Sequence, residues 1–347
     1  MKLQYDIVFV THLPAFYKIN LYNAIAKKAR ILVIFVASAS KIRTTDFTQG
    51  ECRFDYKIIN DTPFENRSKV SSLFRFYKLL KDIQYNQIIV GGWDLIEYWF
   101  LIFKSSKSKN ALALESSLLE SNLSGLKGAL KKLFLKRIST IFPSGQPHAQ
   151  LCRSLQFNGE IKITGGVGIF QYQEKNRILS HSFNGKFLYV GRLAAEKNLA
   201  VMIQAFKHFP TWSLTLIGSG PELKALQAIA PSNVHFAGYV PNEALAAQYQ
   251  AHDVFILPSK QEPWGLVVEE ALYYGLPVIV SNKVGCAQDL VVNQQVGSLF
   301  EPSNESSLIE SINQISTNYA EFKERVNKID FHARDLKQVG QYVQGTR

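Results

Sequence analysis

Short apolar runs alternate along the chain with stretches whose apolar residues recur every three or four positions. That alternation predicts α/β layers built on parallel sheets. In the first half, strands are predicted at Asp6–Val10, Ile31–Val36, Gln87–Val90 and Ala111–Leu114. Residues 20–29 read as a helix, because Leu21, Ile25 and Ala29 fall at i, i+4 and i+8. The second half repeats the theme more cleanly. Lys186–Val190 is a strand, and a helix follows from about Asn198, with Leu199, Met202, Ile203 and Phe206 on one face. Strand Ser213–Ile217 comes next, then Gly-Ser-Gly-Pro, with Pro221 expected in the first turn of a helix. Val254–Leu257 and Pro277–Val280 read as two further buried strands. Gly165-Gly166-Val167-Gly168 and the polar stretch Gln171 to Asn184 read as a hinge or linker. No internal repeat or low-complexity tract interrupts the pattern.

At 347 residues the chain predicts two domains. The expected boundaries are 1–168, a linker at 169–184, and 185–330. Doubly wound domains place their ligand loops at the carboxyl ends of the strands. That is architecture, and it names no reaction.

Composition narrows the class. Hydrophobic residues make up 46% and charged residues 19%, which excludes a disordered, acidic chain. Cys52, Cys152 and Cys286 form no CxxC pair, so no disulfide framework is expected, and a reducing compartment fits best. The histidines lack metal-ligand spacing, so no metal site is expected. Lys2 and Asp6 flank a strand-like start unlike a signal peptide. No apolar run reaches the ~18 residues of a spanning helix, and Tyr98 to Phe103 reads as part of a buried one. A soluble cytoplasmic protein is expected, or one that touches the cytoplasmic face of a membrane peripherally.

Charge is unevenly shared. Residues 1–175 hold 25 Lys+Arg and 13 Asp+Glu, a net of +12, while residues 176–347 hold 14 and 15, a net of −1. A nucleic acid, an anionic membrane or an anionic substrate would suit the first half. The densest stretch is Lys127 to Arg137, where Lys131, Lys132 and Lys136 interleave with Leu130, Leu133, Phe134 and Leu135. As a helix it aligns Leu126, Leu130, Leu133 and Phe134, with Arg137 on the same stripe. It reads either as a packed surface helix with a solvated basic face or as a membrane-surface contact. No nucleic-acid motif is present, so no nucleic-acid partner is expected.

Chemistry concentrates in the second half. In Gly191-Arg-Leu-Ala-Ala-Glu-Lys-Asn198, a strand–loop–helix context places Arg192 and Lys197 just ahead of a helix N-terminus. Two cations there suit a phosphate or diphosphate; the alternative is a solvated surface pair. In Glu262-Pro-Trp-Gly-Leu-Val-Val-Glu-Glu-Ala271, Gly265 looks like the break before a helix. Helical spacing puts Val267, Glu270, Ala271 and Tyr274 on one stripe and Glu269 on the opposite, solvated side. A carboxylate on a buried face needs a partner or bound hydroxyls, so Glu270 is the expected functional acid, or else a structural ion pair. Glu262 precedes the helix, and the N–H groups near Gly265, Leu266 and Val267 are available to an anion.

The segment Pro258 to Val280, with Glu262-x7-Glu270 inside it, resembles the donor-site signature of glycosyltransferase family 4. Val190-Gly-Arg-Leu-Ala-Ala-Glu-Lys-Asn-Leu resembles its diphosphate loop. Leu216-Ile-Gly218-Ser-Gly-Pro-Glu and Phe236-Ala-Gly-Tyr239-Val240-Pro resemble its intervening loops. The four matches come in family order and cover about residues 186–300. The first half matches only loosely, through its opening strand, Leu13-Pro14-Ala-Phe-Tyr17, and Ser144-Gly145.

The resemblance implies a GT-B architecture, two doubly wound Rossmann-like α/β domains facing a cleft, with a terminal helix at about 331–347 returning to the first domain. It implies retaining, metal-independent transfer of a sugar from a nucleotide-sugar, which is a co-substrate, so that no cofactor is expected. By position, Arg192 and Lys197 would neutralise the departing diphosphate, and Glu262 would hold donor-sugar hydroxyls. Glu270 would hold the ribose, and the backbone at Gly265, Leu266 and Val267 would meet the distal phosphate. Tyr239 and Val240 would meet the base, with Gly218 among the donor-binding loops. The absence of an Asp-x-Asp pair agrees with a reaction that needs no metal.

Many family members carry a His after a mid-domain strand of the first half, where this chain reads Ala113-Leu-Glu115-Ser-Ser117. Glu115 either replaces that His or serves the acceptor. His12, in the first strand–helix loop near Pro14, is either structural or part of the acceptor side. Gly91-Gly92-Trp93 either lines the acceptor side or makes a tight turn. The acceptor is expected to be a saccharide, lipid-linked or of the cell envelope, with the basic half facing an anionic membrane surface. The rival readings are a non-transferring GT-B enzyme such as a nucleotide-sugar epimerase, and a non-catalytic binding subunit. An oxidoreductase is disfavoured, because no G-x-G-x-x-G follows the first strand.

Overall fold

The structure, a computed structural model, describes residues 2–42, 45–118, 121, 123–170 and 182–344. The chain divides into two compact units, residues up to 171 with 332 onward, and residues 172–331. Of the stretch from 169 to 184 expected as a linker, residues 171–181 lie outside the described ones. Ile169 and Phe170 belong to the first unit, where their N–H groups donate to Asp335.

The first unit carries strands β1 (Leu3–Thr11), β2 (Ile31–Ala37), β3 (Asp55–Asn60), β4 (Ile83–Val90), β5 (Asn110–Leu114), β6 (Thr140–Pro143) and β7 (Glu160–Ile161). Helices α1 (Phe16–Ala26), α2 (Lys69–Asp82), α3 (Ile96–Lys104), α4 (Gly125–Leu135) and α5 (Gln146–Ser154) connect them. All strand pairs are parallel, in the order β3-β2-β1-β4-β5-β6-β7. Every residue of β2 is buried, as a parallel strand covered on both faces requires. The two faces hold separate apolar clusters, one around Val8, Ile34 and Phe76, the other around Phe9, Phe35 and Ile25.

The second unit carries β8 (Lys186–Val190), β9 (Ser213–Ile217), β10 (Val234–Gly238), β11 (Val254–Leu257), β12 (Val278–Ser281) and β13 (Gly297–Phe300). Its helices are α6 (Leu199–Ala205), α7 (Leu223–Ile229), α8 (Asn242–Gln250), α9 (Leu266–Tyr273), α10 (Glu305–Thr317) and α11 (Tyr319–Asn327). Its sheet is again parallel, in the order β10-β9-β8-β11-β12-β13. The last helix, α12 (Phe331–Val343), is part of the first unit from His332 on. There Tyr342 stacks on Phe142 with ring centroids 4.6 Å apart, and the Gln338 side chain donates to the Gly166 carbonyl at 2.7 Å.

Several local expectations shift. The first helix starts at Phe16 and stops at Ala26, so Ala29 lies beyond it. Pro221 stands in a turn just before α7. The α4 stripe is not its buried face: Leu126, Leu130 and Leu133 are exposed, while Gly128, Phe134 and Leu135 point to the core. In both sheets the chain winds outward from one strand and then restarts beside it on the other side. The crevices this rule creates lie at the carboxyl ends of β1 and β4, and of β8 and β11.

Candidate functional site

The carboxyl end of β8 leads into Gly191–Asn198, and that of β11 into Pro258–Gly265, so the switch point of the second sheet gathers Arg192, Lys197 and Glu262. Lys197 forms an ion pair with Glu262, both side chains mostly covered, and the Ser259 hydroxyl lies 3.4 Å from the same Glu262 oxygen. Glu262 is fixed from its backbone: its N–H donates to the Lys283 carbonyl, and its own carbonyl accepts from Gly285. Arg192, more exposed, pairs with Glu196 one turn on. The hydrogen bond from the guanidinium holds the Glu196 carboxyl below its ordinary range. The result is a row of two cations and two carboxylates, each cation held before any ligand arrives.

Neighbouring loops set the row's walls. Leu193 N–H donates to the Ser219 carbonyl and Gly218 N–H to the Gly238 carbonyl. A side chain at Gly218 would meet the Gly191 carbonyl oxygen at 1.9 Å, and its φ of 136° suits glycine alone. The loops after β8, β9 and β10 are thus laced together. Tyr239 is exposed and Val240 half-buried just past β10. Gly265, at φ 100°, caps α9, whose first N–H groups, from Leu266 and Val267, have no partner within the helix.

Four residues into α9, Glu270 accepts a 2.9 Å hydrogen bond from the Tyr249 hydroxyl. Tyr249 itself stacks on Tyr274, with centroids 5.2 Å apart. Burial pushes the Glu270 carboxyl up from 4.5 to about 7, against the opposing pull of the Tyr249 hydrogen bond. Glu269 corrects the helical reading: it is buried, and the covered face is Val268, Glu269, Ala271, Leu272 and Tyr273. The short helix packs on both β11 and β12, so its buried arc is wider than one stripe.

The raised Glu270 value sets a pH dependence. Between about pH 4.5 and 7 the folded chain keeps a proton that the unfolded chain has released. That contribution to stability is complete below the lower value and is lost as pH rises through the upper one. Melting temperature measured from pH 4.5 to 7.5 should fall more steeply in the wild type than in Glu270→Gln, and equal slopes would refute the assignment.

The first sheet has its own cluster at its switch point. His12, just after β1, places Nε2 2.8 Å from an Asp94 carboxylate oxygen and Nδ1 3.1 Å from the Tyr98 hydroxyl. Desolvation opposes ionisation of Asp94, but the His12 hydrogen bond and charge outweigh it, and its carboxyl lies below the ordinary range. Lys18, on α1, pairs with Glu115 at 2.9 Å and donates to the Thr11 hydroxyl at 3.2 Å. Tyr98 feels the charges of Lys18, Asp94 and Glu115, which makes these groups one cluster. Gly92 turns tightly beside it: a Cβ there would stand 2.5 Å from an Asp94 oxygen. Pro14 is half-buried in the loop that leads to α1.

His12, Glu115 and Gly92, expected from the sequence as acceptor-side candidates, lie in one cluster with Lys18, Asp94 and Tyr98, which the sequence did not single out, nor did it single out Glu196 and Tyr249 in the second unit. The signal for Asp94 was its place directly after Gly92-Trp93 at a strand end. Among the described residues, no group of three or more His, Cys, Asp and Glu side chains gathers as a metal ion would need.

Comparison with known proteins follows the same lines. Residues 173–331 match the family described as "Glycosyl transferases group 1". The sulfoquinovosyl transferase SQD2 of Arabidopsis thaliana is 32% identical over 141 residues, covering 39% of this chain and 28% of that protein. The chain spans less than two thirds of the length of the curated relatives it matches. Among solved structures, sucrose-phosphate synthase from Thermosynechococcus elongatus superposes with a TM-score of 0.73 at 19% identity, over 97% of this chain and 98% of that one. Anabaena HepE in complex with UDP gives 0.71 at 17% identity, over 97% and 98%. These likenesses show the fold, a GT-B architecture of two α/β units with parallel sheets.

Proposed function

We propose, from a chain whose residues 173–331 match the glycosyl transferases group 1 family, that the protein is a retaining, metal-independent glycosyltransferase. It moves a sugar from a nucleotide-sugar to a saccharide acceptor that is anionic or carried on a lipid. The observation that carries this reading is the Arg192–Glu196 and Lys197–Glu262 row at the carboxyl ends of β8 and β11.

Breaking the bond between a sugar and a diphosphate leaves positive charge on the sugar and negative charge on the leaving group. Preorganised cations aimed at that negative charge stabilise the transition state more than the ground state. Arg192 and Lys197 do this work. The N–H groups at the start of α9 hold the distal phosphate, Glu262 holds sugar hydroxyls, and Glu270 accepts from the ribose hydroxyls. The backbone at Tyr239 and Val240 meets the base. A leaving phosphate oxygen that takes the acceptor's proton on the same face gives retention.

The acceptor side belongs to the first unit, with His12, Asp94, Lys18 and Glu115 as its polar groups and Pro14 and Gly92 shaping the loops. The net +12 of residues 1–175 suits an acceptor held at the cytoplasmic face of an anionic membrane. No helix among the described residues is long and apolar enough to cross one.

The test is a thermal-shift and donor-hydrolysis panel of nucleotide-sugars with EDTA present, starting from UDP-glucose. A bound donor raises the melting temperature in proportion to the logarithm of its concentration. A rise with at least one donor, and turnover that survives the chelator with the anomeric configuration retained, are the expected results. A panel in which no nucleotide-sugar shifts the protein overturns the reading.

A further inference from the structure

Helix α4 turns its apolar stripe outward: Leu126 is 77% exposed, Leu133 45% and Leu130 43%. Beside it runs a groove of about 440 Å³. Trp93, Ile96, Trp99 and Leu130 line it together with Lys127, Lys131 and Asp94. The walls offer little to a polar ligand. The Trp99 indole N–H is used by the Trp93 carbonyl at 2.9 Å, and Trp99 stacks on Phe103 with planes 7° apart. The Lys131 ammonium stands 5.2 Å from the Trp93 ring centroid, so a cation lies against this apolar lining.

Three demands on an occupant follow. Apolar walls ask for a hydrocarbon chain, because a bare saccharide would leave its hydroxyls unpaired against them. The two lysines in the lining ask for an anion. Asp94, which is hydrogen-bonded to His12, makes the groove continuous with the switch-point cluster, so the occupant must extend from the groove to polar groups there. A hydrocarbon chain, a phosphate and a polar end together describe a lipid-linked sugar.

We propose that the groove between α4 and the Trp93–Trp99 segment binds the hydrocarbon chain and phosphate of an isoprenyl or long-chain alkyl phosphate, the lipid part of the acceptor. The proposal rests on the transferase reading above for the first unit's role as the acceptor side, and it names the substrate class that side takes.

The probe is farnesyl phosphate below its micelle concentration, titrated calorimetrically into the full-length protein, with farnesol and inorganic phosphate alongside. Leu130→Gln and Lys131→Gln are the variants, both at surface positions expected to leave the fold intact, as their melting curves will report. Farnesyl phosphate should bind at least tenfold more tightly than either fragment, and each variant should weaken it at least tenfold. Equal binding by both variants, or phosphate alone binding as tightly, overturns the proposal. So does binding confined to anionic vesicles, which would make α4 a bilayer contact, or a dimer whose contact farnesyl phosphate does not displace. The nucleotide-sugar shift is read on the same samples. Its loss with farnesyl phosphate still bound sinks the donor reading alone; the converse sinks only the groove.

Discussion

Replacing Arg192 or Lys197 with Ala is expected to lower kcat by ~10²–10³, about 3–4 kcal/mol of transition-state stabilisation. Each cation is compensated by a carboxylate of the chain, Arg192 by Glu196 and Lys197 by Glu262. An arriving diphosphate competes with those carboxylates in the ground state, and gains most once the bond breaks and its charge grows. The loss should therefore appear mainly in kcat, with a smaller change in donor KM. Arg192 is more than half exposed, so its removal costs little stability, and the melting temperature of Arg192→Ala should stay near that of the wild type. Wild-type turnover in both purified variants would refute the assignment. Glu196→Gln is a useful control, because it frees Arg192 without removing it and should affect turnover less than either alanine.

The strands that the sequence made legible are those with continuous apolar runs. Lys186–Val190, Ser213–Ile217 and Val254–Leu257 are observed at their expected limits, and they are largely or wholly buried. The strands that were missed give weaker signals. β3 and β10 lie at sheet edges, where most of their residues reach solvent, so neither shows a run. β6 (Thr-Ile-Phe-Pro) and β13 (Gly-Ser-Leu-Phe) each offer only two strongly apolar residues in a row, unlike the four of Val254–Leu257. The same division holds in the sites. Arg192, Lys197 and Glu262 flank readable strands, so their loops could be placed. Lys18 and Asp94 acquire partners only because β1 lies between β2 and β4, with β5 beyond, an order that no local pattern records. Glu269, expected on a solvated face, is buried for a smaller reason: eight residues of helix are too few for a stripe to show which arc is covered.

The second large effect tests whether Lys197 and Glu262 act as a unit. Lys197→Met and Glu262→Gln are each expected to lower kcat about 10²-fold or more, and the double variant to lose far less than the product of the two. The reason lies in their geometry. Both side chains are mostly covered, so the pair is poorly screened, and either partner left alone is a desolvated charge that moves toward water. Without Glu262, Lys197 loses the carboxylate that holds it where the proposed donor's diphosphate would bind. Without Lys197, Glu262 is left an uncompensated carboxylate that would repel the diphosphate of the proposed donor. Each single change therefore damages both functions, and the second removes little that remains. Stability should show the same coupling, with each single variant losing more than half of what the double variant loses. Strictly additive losses in both kcat and melting temperature would mean that the two residues serve separate tasks, and would remove the pair as the structural basis of the donor site.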